Sequence, residues 1–435
     1  MKPFSGKTAA LAACLSVAAM AGSAGEAARP YVIVGTGQGK CYDDSREIPA
    51  PKSGAPFRGQ DAQHPGPAPA YRDNGDGTVS DLNTGLMWVR ARGAKVSWED
   101  AVAGAARCRT GDHGDWRMPT VKELYSLIDF NGGFDRRAAD SRPYLDARVF
   151  EFKYGDEAAG ERGIDCQDWS ATGYLGTTMG GNATVFGVNF ADGRIKGYPK
   201  VRPGPGGGGA HKLYVRYVRG NPAYGKNDFR DNGDGTVTDR ATGLMWSKAD
   251  SGRGMNWERA LAWVQEMNGK KHLGRDDWRM PNAKELQSIV DYSRAPEASK
   301  ESQRGAAIDP VFDISKLADG EHPFFWTGTT HLEGPADVRG RAAVYVAFGR
   351  ALGWMPARGP MGGGPDGRGA RAPAGGPAGG GAGEYRLLDV HGAGAQRSDP
   401  KAGDAADYPH GRGPQGDVIR IDNYVRLVRQ DAKPD

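Results

Sequence analysis

The stretch Asp277-Trp278-Arg279-Met280-Pro281-Asn282-Ala283-Lys284-Glu285-Leu286 constrains this chain most, because Asp115-Trp116-Arg117-Met118-Pro119-Thr120-Val121-Lys122-Glu123-Leu124 says nearly the same thing earlier on. One structural unit is therefore present twice. Proline pushes the preceding methionine into extended backbone. Thr120 or Asn282 is then placed to cap a helix whose third residue is Glu123 or Glu285, the two partners of a capping box. Apolar residues follow at helical spacing, Leu124, Leu127 and Ile128 in the first copy and Leu286, Ile289 and Val290 in the second, so one face of each helix must enter a core. Trp116 and Trp278 are expected in that core, with Arg117 and Arg279 paired to a carboxylate such as the capping glutamate.

Other landmarks recur in the same order. Each copy opens on an Asp-Asn-Gly-Asp-Gly-Thr-Val turn, Asp73 to Val79 and Asp231 to Val237, followed by Thr-Gly-Leu-Met-Trp at Thr84 to Trp88 and Thr242 to Trp246. These predict a glycine turn and a hairpin. An EF-hand would need oxygen ligands at loop positions 1, 3 and 5, whereas the aspartates here fall at 1, 4 and 9. A helix capped by Ser97 or Asn256 comes next, with Trp98, Ala101 and Val102 or Trp257, Leu261 and Val264 as its apolar stripe. Strands then close each unit, the last reading Val215-Arg216-Tyr217-Val218-Arg219 and Val425-Arg426-Leu427-Val428-Arg429. Trp116 should superpose on Trp278, Leu124 on Leu286 and Val215 on Val425, with an interface shared between the copies.

The order predicts these segments: a signal peptide over 1–24, an extended lead-in over 25–70 packed along the first unit, units over 71–219 and 229–429, a linker over 220–228 and a tail over 430–435. The second unit carries an insert, 356–383, whose twelve glycines and five prolines lack the apolar content to pack a core and read as disordered. The leader runs from Lys2 through an apolar stretch, Thr8 to Ala21, into small residues, the pattern of an exported protein. Leu11-Ala12-Ala13-Cys14 offers the alternative of a lipid tether at Cys14. No later apolar run is long enough to span a bilayer. The destination is the periplasm, the cell surface or the medium.

A formal net charge of +4 over 435 residues gives no polyanion-binding field, which argues against nucleic acid as a partner. Beyond the leader only Cys41, Cys108 and Cys166 remain, all in the first half, so disulfides cannot be what holds the repeated fold together. None of the eight histidines stands in a His-x-x-x-His spacing. The second copy has no thiol for a nucleophile, and no Gly-x-Ser-x-Gly elbow occurs. The expectation is a protein without cofactor, metal or catalytic residues. Gly35 to Cys41 fits neither the dinucleotide nor the Walker glycine pattern and reads as a turn.

With both copies laid out, the chain resembles the Lcl C-terminal domain family, a bacterial domain of unknown function, in two tandem copies. The carrying residues are the two Asn-Gly-Asp-Gly-Thr-Val openings, Thr-Gly-Leu-Met-Trp, Asp-Trp-Arg-Met-Pro-x-x-Lys-Glu-Leu, the Trp169-Ser170 and Trp326-Thr327 segments, and the terminal Val-Arg-x-Val-Arg. The resemblance implies an α+β fold of two C-type-lectin-like domains, each hairpin, helix, helix and then antiparallel strands, and implies binding of glycans at a cell surface. Two polar clusters occur in one copy only and are therefore better binding candidates than the repeated landmarks. One is the hairpin tip with Arg194, Lys196 and Tyr198, expected to face solvent. The other runs from His391 to Lys401 and contributes His391, Gln396, Arg397 and Lys401. The function expected is a non-catalytic binding module for a glycan or anionic envelope polymer, with self-association open. A structural component of an envelope assembly and an enzyme on a formylglycine-generating-enzyme-like scaffold are the alternatives.

Overall fold

A computed structural model describes residue 1 and residues 29–431 apart from 136, 203–207, 336–337 and 357–383. The leader with Cys14, and the glycine-rich insert beyond Pro356, lie outside the described residues.

The lead-in forms a small hairpin, β1 (Cys41–Tyr42) with β2 (Glu47–Ile48), and a helical turn at Asp61–Gln63. The first copy follows with β3 (Tyr71–Asp73), β4 (Thr78–Asp81) and β5 (Leu86–Val89), then α1 (Trp98–Arg107) and α2 (Val121–Ser126), then β6 (Asp168–Thr178), β7 (Asn182–Asn189), β8 (Arg194–Pro199) and β9 (Val218–Gly220). The second copy repeats this with β10 (Phe229–Asp231), β11 (Thr236–Asp239), β12 (Leu244–Ser247), α3 (Trp257–Gly269), α4 (Ala283–Ser288), β13 (Phe324–His331) and β14 (Ala342–Ala347). It adds a hairpin, β15 (Leu352–Pro356) with β16 (Tyr385–Asp389), before β17 (Gln396–Pro400) and β18 (Val428–Gln430). Helices are few and every strand pairing is antiparallel, so the fold class is α+β.

The opening turns are self-contained. In the first, Asp76 Oδ1 accepts from Thr78 N (3.0 Å) and Thr78 Oγ1 (2.6 Å), and Asn74 Nδ2 donates to Thr78 Oγ1 (2.8 Å) and Ser80 Oγ (3.0 Å). Gly75 and Gly77 take the left-handed backbone that these turns require (φ 79° and 84°). The last strand of each copy returns to the first sheet. β9 lies beside β5 with Trp88 opposite Val218, and β18 lies beside β12 with Trp246 opposite Val428.

The duplicated corner is built as its residues dictate. Arg117 grips Glu123 with Nη1 to Oε2 at 2.7 Å and Nη2 to Oε1 at 2.5 Å, while the same carboxylate accepts from Thr120 N (2.8 Å) to complete the capping box. Arg279, Glu285 and Asn282 repeat the arrangement at 2.5, 2.6 and 2.9 Å. Trp116 and Trp278 are buried, with Nε1 donating to Thr110 O and His272 O. Two details differ from the helical pattern. Helices α2 and α4 stop after six residues, with Leu127 and Ile289 already at the C-cap, although the apolar residues beyond still enter the core. On α1, Val102 is exposed, and Ala105 takes its place beside Ala101 because the helix turns that face inward.

The copies are one body. A single six-stranded sheet runs β13-β14-β17-β8-β7-β6, half of it from each copy. Ile195 pairs with Val188 in the first copy and Gln396 pairs with Val346 in the second, which makes Ile195 and Gln396 equivalent positions; they pair with each other at the seam. The copies are thus related by a local two-fold, as in an isologous dimer. Leu124, Ile128, Val188 and Ile195 share one core with Leu286, Val290, Val344 and Val346. Smaller cores lie around Trp169 in the first copy and Trp326 in the second.

The motif lysines obey the same symmetry. Lys122 Nζ donates to Ser288 O (2.6 Å) and Gly225 O (3.1 Å), and Lys284 Nζ donates to Ser126 O (2.8 Å) and Gly35 O (3.0 Å). Each lysine reaches into the other copy. Burial pushes both ammonium groups down to about 8.

The lead-in does not run along the first unit alone. Asp61 Oδ2 accepts from Thr329 Oγ1 (2.6 Å), Gln38 exchanges hydrogen bonds with the Thr330 backbone at 2.9 Å each, and Phe57 lies against Trp257. The polar residues Thr36, Gln38, Gln60 and Asp61 are all buried. A Pro- and Gly-rich segment gives no periodic signal of this, because it is held by individual side chains and not by an apolar face.

Candidate functional site

The β7–β8 hairpin and strand β17 meet at the two-fold, and this brings the two unique polar clusters together. Gly193 closes the turn in left-handed backbone (φ 64°), with its amide donating to Asn189 O at 2.8 Å. Side chains at 194, 196 and 198 then alternate onto one sheet face. The expectation that this tip faces solvent is corrected by the second copy, which covers it. His331 Nε2 bonds Asp192 O (2.8 Å) and stacks on Tyr144 with ring centroids 5.5 Å apart, while Arg194 ion-pairs with Glu333 and donates to Ser398 Oγ (2.9 Å). Arg194 and Lys196 keep only 15% and 12% of their side chains exposed, and Tyr198 is buried.

Charge at the seam is balanced. Asp192 Oδ2 meets Lys196 Nζ at 3.1 Å and Arg194 Nη1 at 3.4 Å. Asp417 takes Arg397 Nη2 on one oxygen and His391 Nε2 (2.8 Å) on the other. Burial alone would raise the Asp417 carboxyl, but Arg397 and His391 outweigh it and hold that group well below the carboxylate range. Burial pushes the His391 imidazole down to about 4 and the Lys196 ammonium down to about 8, the latter against the pull of Asp192. At neutral pH His391 is therefore uncharged.

Six of the seven residues singled out from sequence gather here. Gln396 is fully buried, its Nε2 donating to Arg397 O (3.1 Å). Lys401 does not join them. It is a buried strut whose Nζ bonds Thr330 Oγ1 (2.8 Å) and Asp43 O (2.9 Å) and lies 3.9 Å above the Trp257 ring, tying the lead-in to the second copy. Glu333, His331 and Asp417 were missed, because Glu333 lies far in sequence from Arg194, His331 from Asp192 and Tyr144, and Asp417 from Arg397 and His391, and none carries a local motif.

The seam has bonding capacity left over. Among the described residues, Arg397 Nε and Nη1, Arg194 Nε and the Tyr198 hydroxyl are buried without a partner, as are the acceptors Gln396 Oε1 and Asp192 Oδ1 and the ring nitrogen His331 Nδ1. A buried donor left unmade costs roughly 1 to 3 kcal/mol, so a surplus of donors between two copies favours an acceptor-rich guest. No group of three or more His, Cys, Asp or Glu able to hold a metal occurs among the described residues, and Cys41, Cys108 and Cys166 are all free thiols. No helix there is long and apolar enough to cross a membrane.

Comparison with known proteins found no match among curated proteins or solved structures. A family model described as Lcl C-terminal domain matches residues 77–219 and again 235–357, more than half the chain; the second match ends before β17 and β18. The chain belongs to the Lcl C-terminal domain family and carries that domain twice.

Proposed function

We propose that this protein is an exported, non-catalytic binding module of the bacterial envelope or surface, and that its ligand is a glycan or another anionic envelope polymer engaged at the seam between the copies. The observation carrying this reading is the set of buried donors without partners, Arg397 Nε and Nη1 with the Tyr198 hydroxyl, beside the Lys196 ammonium. Guanidinium forks and hydroxyls suit carboxylate, sulfate and sugar oxygens. β9 and β18 return to the opening sheets beside β5 and β12, not beside the first strands β3 and β10, so the two ends of each copy share a sheet, which supports a C-type-lectin-like relationship. That scaffold presents loops from a rigid frame and suits binding.

The test is heparin retention and a glycan array on the full chain, with Tyr198→Phe and Lys196→Met variants of unchanged melting temperature. Retention at low salt, screened off as salt rises and reduced in both variants, is expected. Absence of retention at low salt, or retention unchanged from wild type in both variants, removes the ligand reading as sited here.

A further inference from the structure

The two-fold between the copies is broken at the corner that follows the Trp-Arg-Met-Pro stretch. The second copy's corner is roofed by the lead-in: Thr329 Oγ1 accepts from Ala283 N (3.0 Å) and donates to Asp61 Oδ2 (2.6 Å), and Asp61 also accepts from Thr36 Oγ1 (2.7 Å). Phe130 N donates to Thr36 O (2.8 Å) on the far wall. The first copy has the same corner and no roof. Thr172 Oγ1 accepts from Val121 N (3.0 Å), as Thr329 does from Ala283, but its hydroxyl proton finds no acceptor among the described residues. Tyr292, the counterpart of Phe130, has a backbone amide with no acceptor there either. Arg117 is 36% exposed where Arg279 is 14%. The space left is a groove of about 580 Å³ whose lining includes Thr172, Tyr292 and the cations Arg117, Lys122 and Lys226, with Glu123, Asp291 and Asp309 among them; Glu123 is the carboxylate that Arg117 already holds.

We propose that this groove is a docking site for a peptide turn of a partner protein, carrying an aspartate or glutamate that takes the place Asp61 holds at the start of its helical turn in the second copy. The filled groove is the template. A carboxylate accepts from Thr172 Oγ1 near the Arg117 guanidinium, as Asp61 does from Thr329; the carbonyl that Phe130 N meets in the second copy comes from a separate stretch, at Thr36, and is no part of the turn proposed here. The chain's own lead-in cannot serve both grooves, because one segment exists per chain and its Asp61 is already committed. Lys226 at the rim adds a further attraction for an acidic segment. This site is separate from the seam and does not rest on the ligand proposed there.

The probe is a fluorescein-labelled peptide of residues 57–64, Phe-Arg-Gly-Gln-Asp-Ala-Gln-His, titrated with the full chain and followed by anisotropy. Saturable binding is expected, weaker by about tenfold when the peptide carries Asn in place of Asp61 or the protein carries Thr172→Val, one hydrogen bond to a charged group being at stake. Thr172→Ser should restore it, and the exposed Lys226→Glu, which cannot unfold the chain, should weaken it. Thr329→Val should leave it unchanged. Failure to saturate, equal binding by both peptides, or loss in Thr329→Val with none in Thr172→Val would overturn the proposal, the last by showing that the probe displaces the lead-in from the second groove.

Discussion

At the scale of single residues the interior is held by polar groups that burial has moved far from their solution behaviour. Asp61 is the clearest. Burial pushes its carboxyl up to about 6, while the hydroxyls of Thr329 and Thr36 pull the other way. A folded-state value above the unfolded one means that the folded protein keeps a proton which the unfolded chain releases, so this contribution to stability is fullest at low pH and is lost as pH rises through the window from 3.8 to about 6. Asp61→Asn removes the titration. Measured by urea unfolding from pH 4.5 to 7.5, wild type relative to that variant should lose stability as pH rises, by at most on the order of 3 kcal/mol. A difference that does not change with pH would show that Asp61 is not desolvated. His391 works in the opposite direction: its depressed value means stability gained as pH rises from about 4 to the ordinary 6.5.

At the scale of elements, α2 and α4 are too short to be stable by propensity and persist because capping and burial fix them. Their cap boxes and Arg–Glu forks were readable from one repeated decapeptide. Leu286 and Leu124 are fully buried in the shared core. Leu286→Ala should cost about 2 to 5 kcal/mol by the loss of transfer energy and the cavity it leaves, and Leu124→Ala a similar amount. Chemical denaturation reads both, and a loss below about 1 kcal/mol in either would mean that this helix is not central to the fold. The partner of Lys122 was not readable. A lysine at the second position of a capped helix looks solvent-facing, and only the second copy's Ser288 carbonyl explains its burial.

At the scale of the whole molecule, the shared sheet and core predict that the two copies unfold together. Calorimetry of the full chain should give one transition whose van't Hoff and calorimetric enthalpies agree. Residues 229–431 expressed alone should fail to fold, because that fragment exposes the β17 edge, half of the shared core and the Thr329–Thr330 surface that the lead-in covers. Two resolved transitions, or a cooperative fold for the isolated second copy, would show that the copies are independent beads.

What the sequence determined by itself was everything carried by short range and by repetition. Pro119 and Pro281, the caps at Thr120 and Asn282 and the glycine turns act within a few residues, so their chemistry fixes their conformation wherever the chain goes. The ten-residue repeat then fixed the duplication and the family. Tertiary structure alone decided how the copies meet. Ile195 faces Gln396 across a two-fold that no periodicity announces, and the lead-in leaves the first unit to roof the second because Asp61 finds Thr329 there. It also turned Arg194, Lys196 and Tyr198 from an exposed tip into a covered seam, since exposure depends on what the far half of the chain places on top. Contacts of this kind join residues up to hundreds of positions apart, and their energies depend on a geometry that exists only after folding.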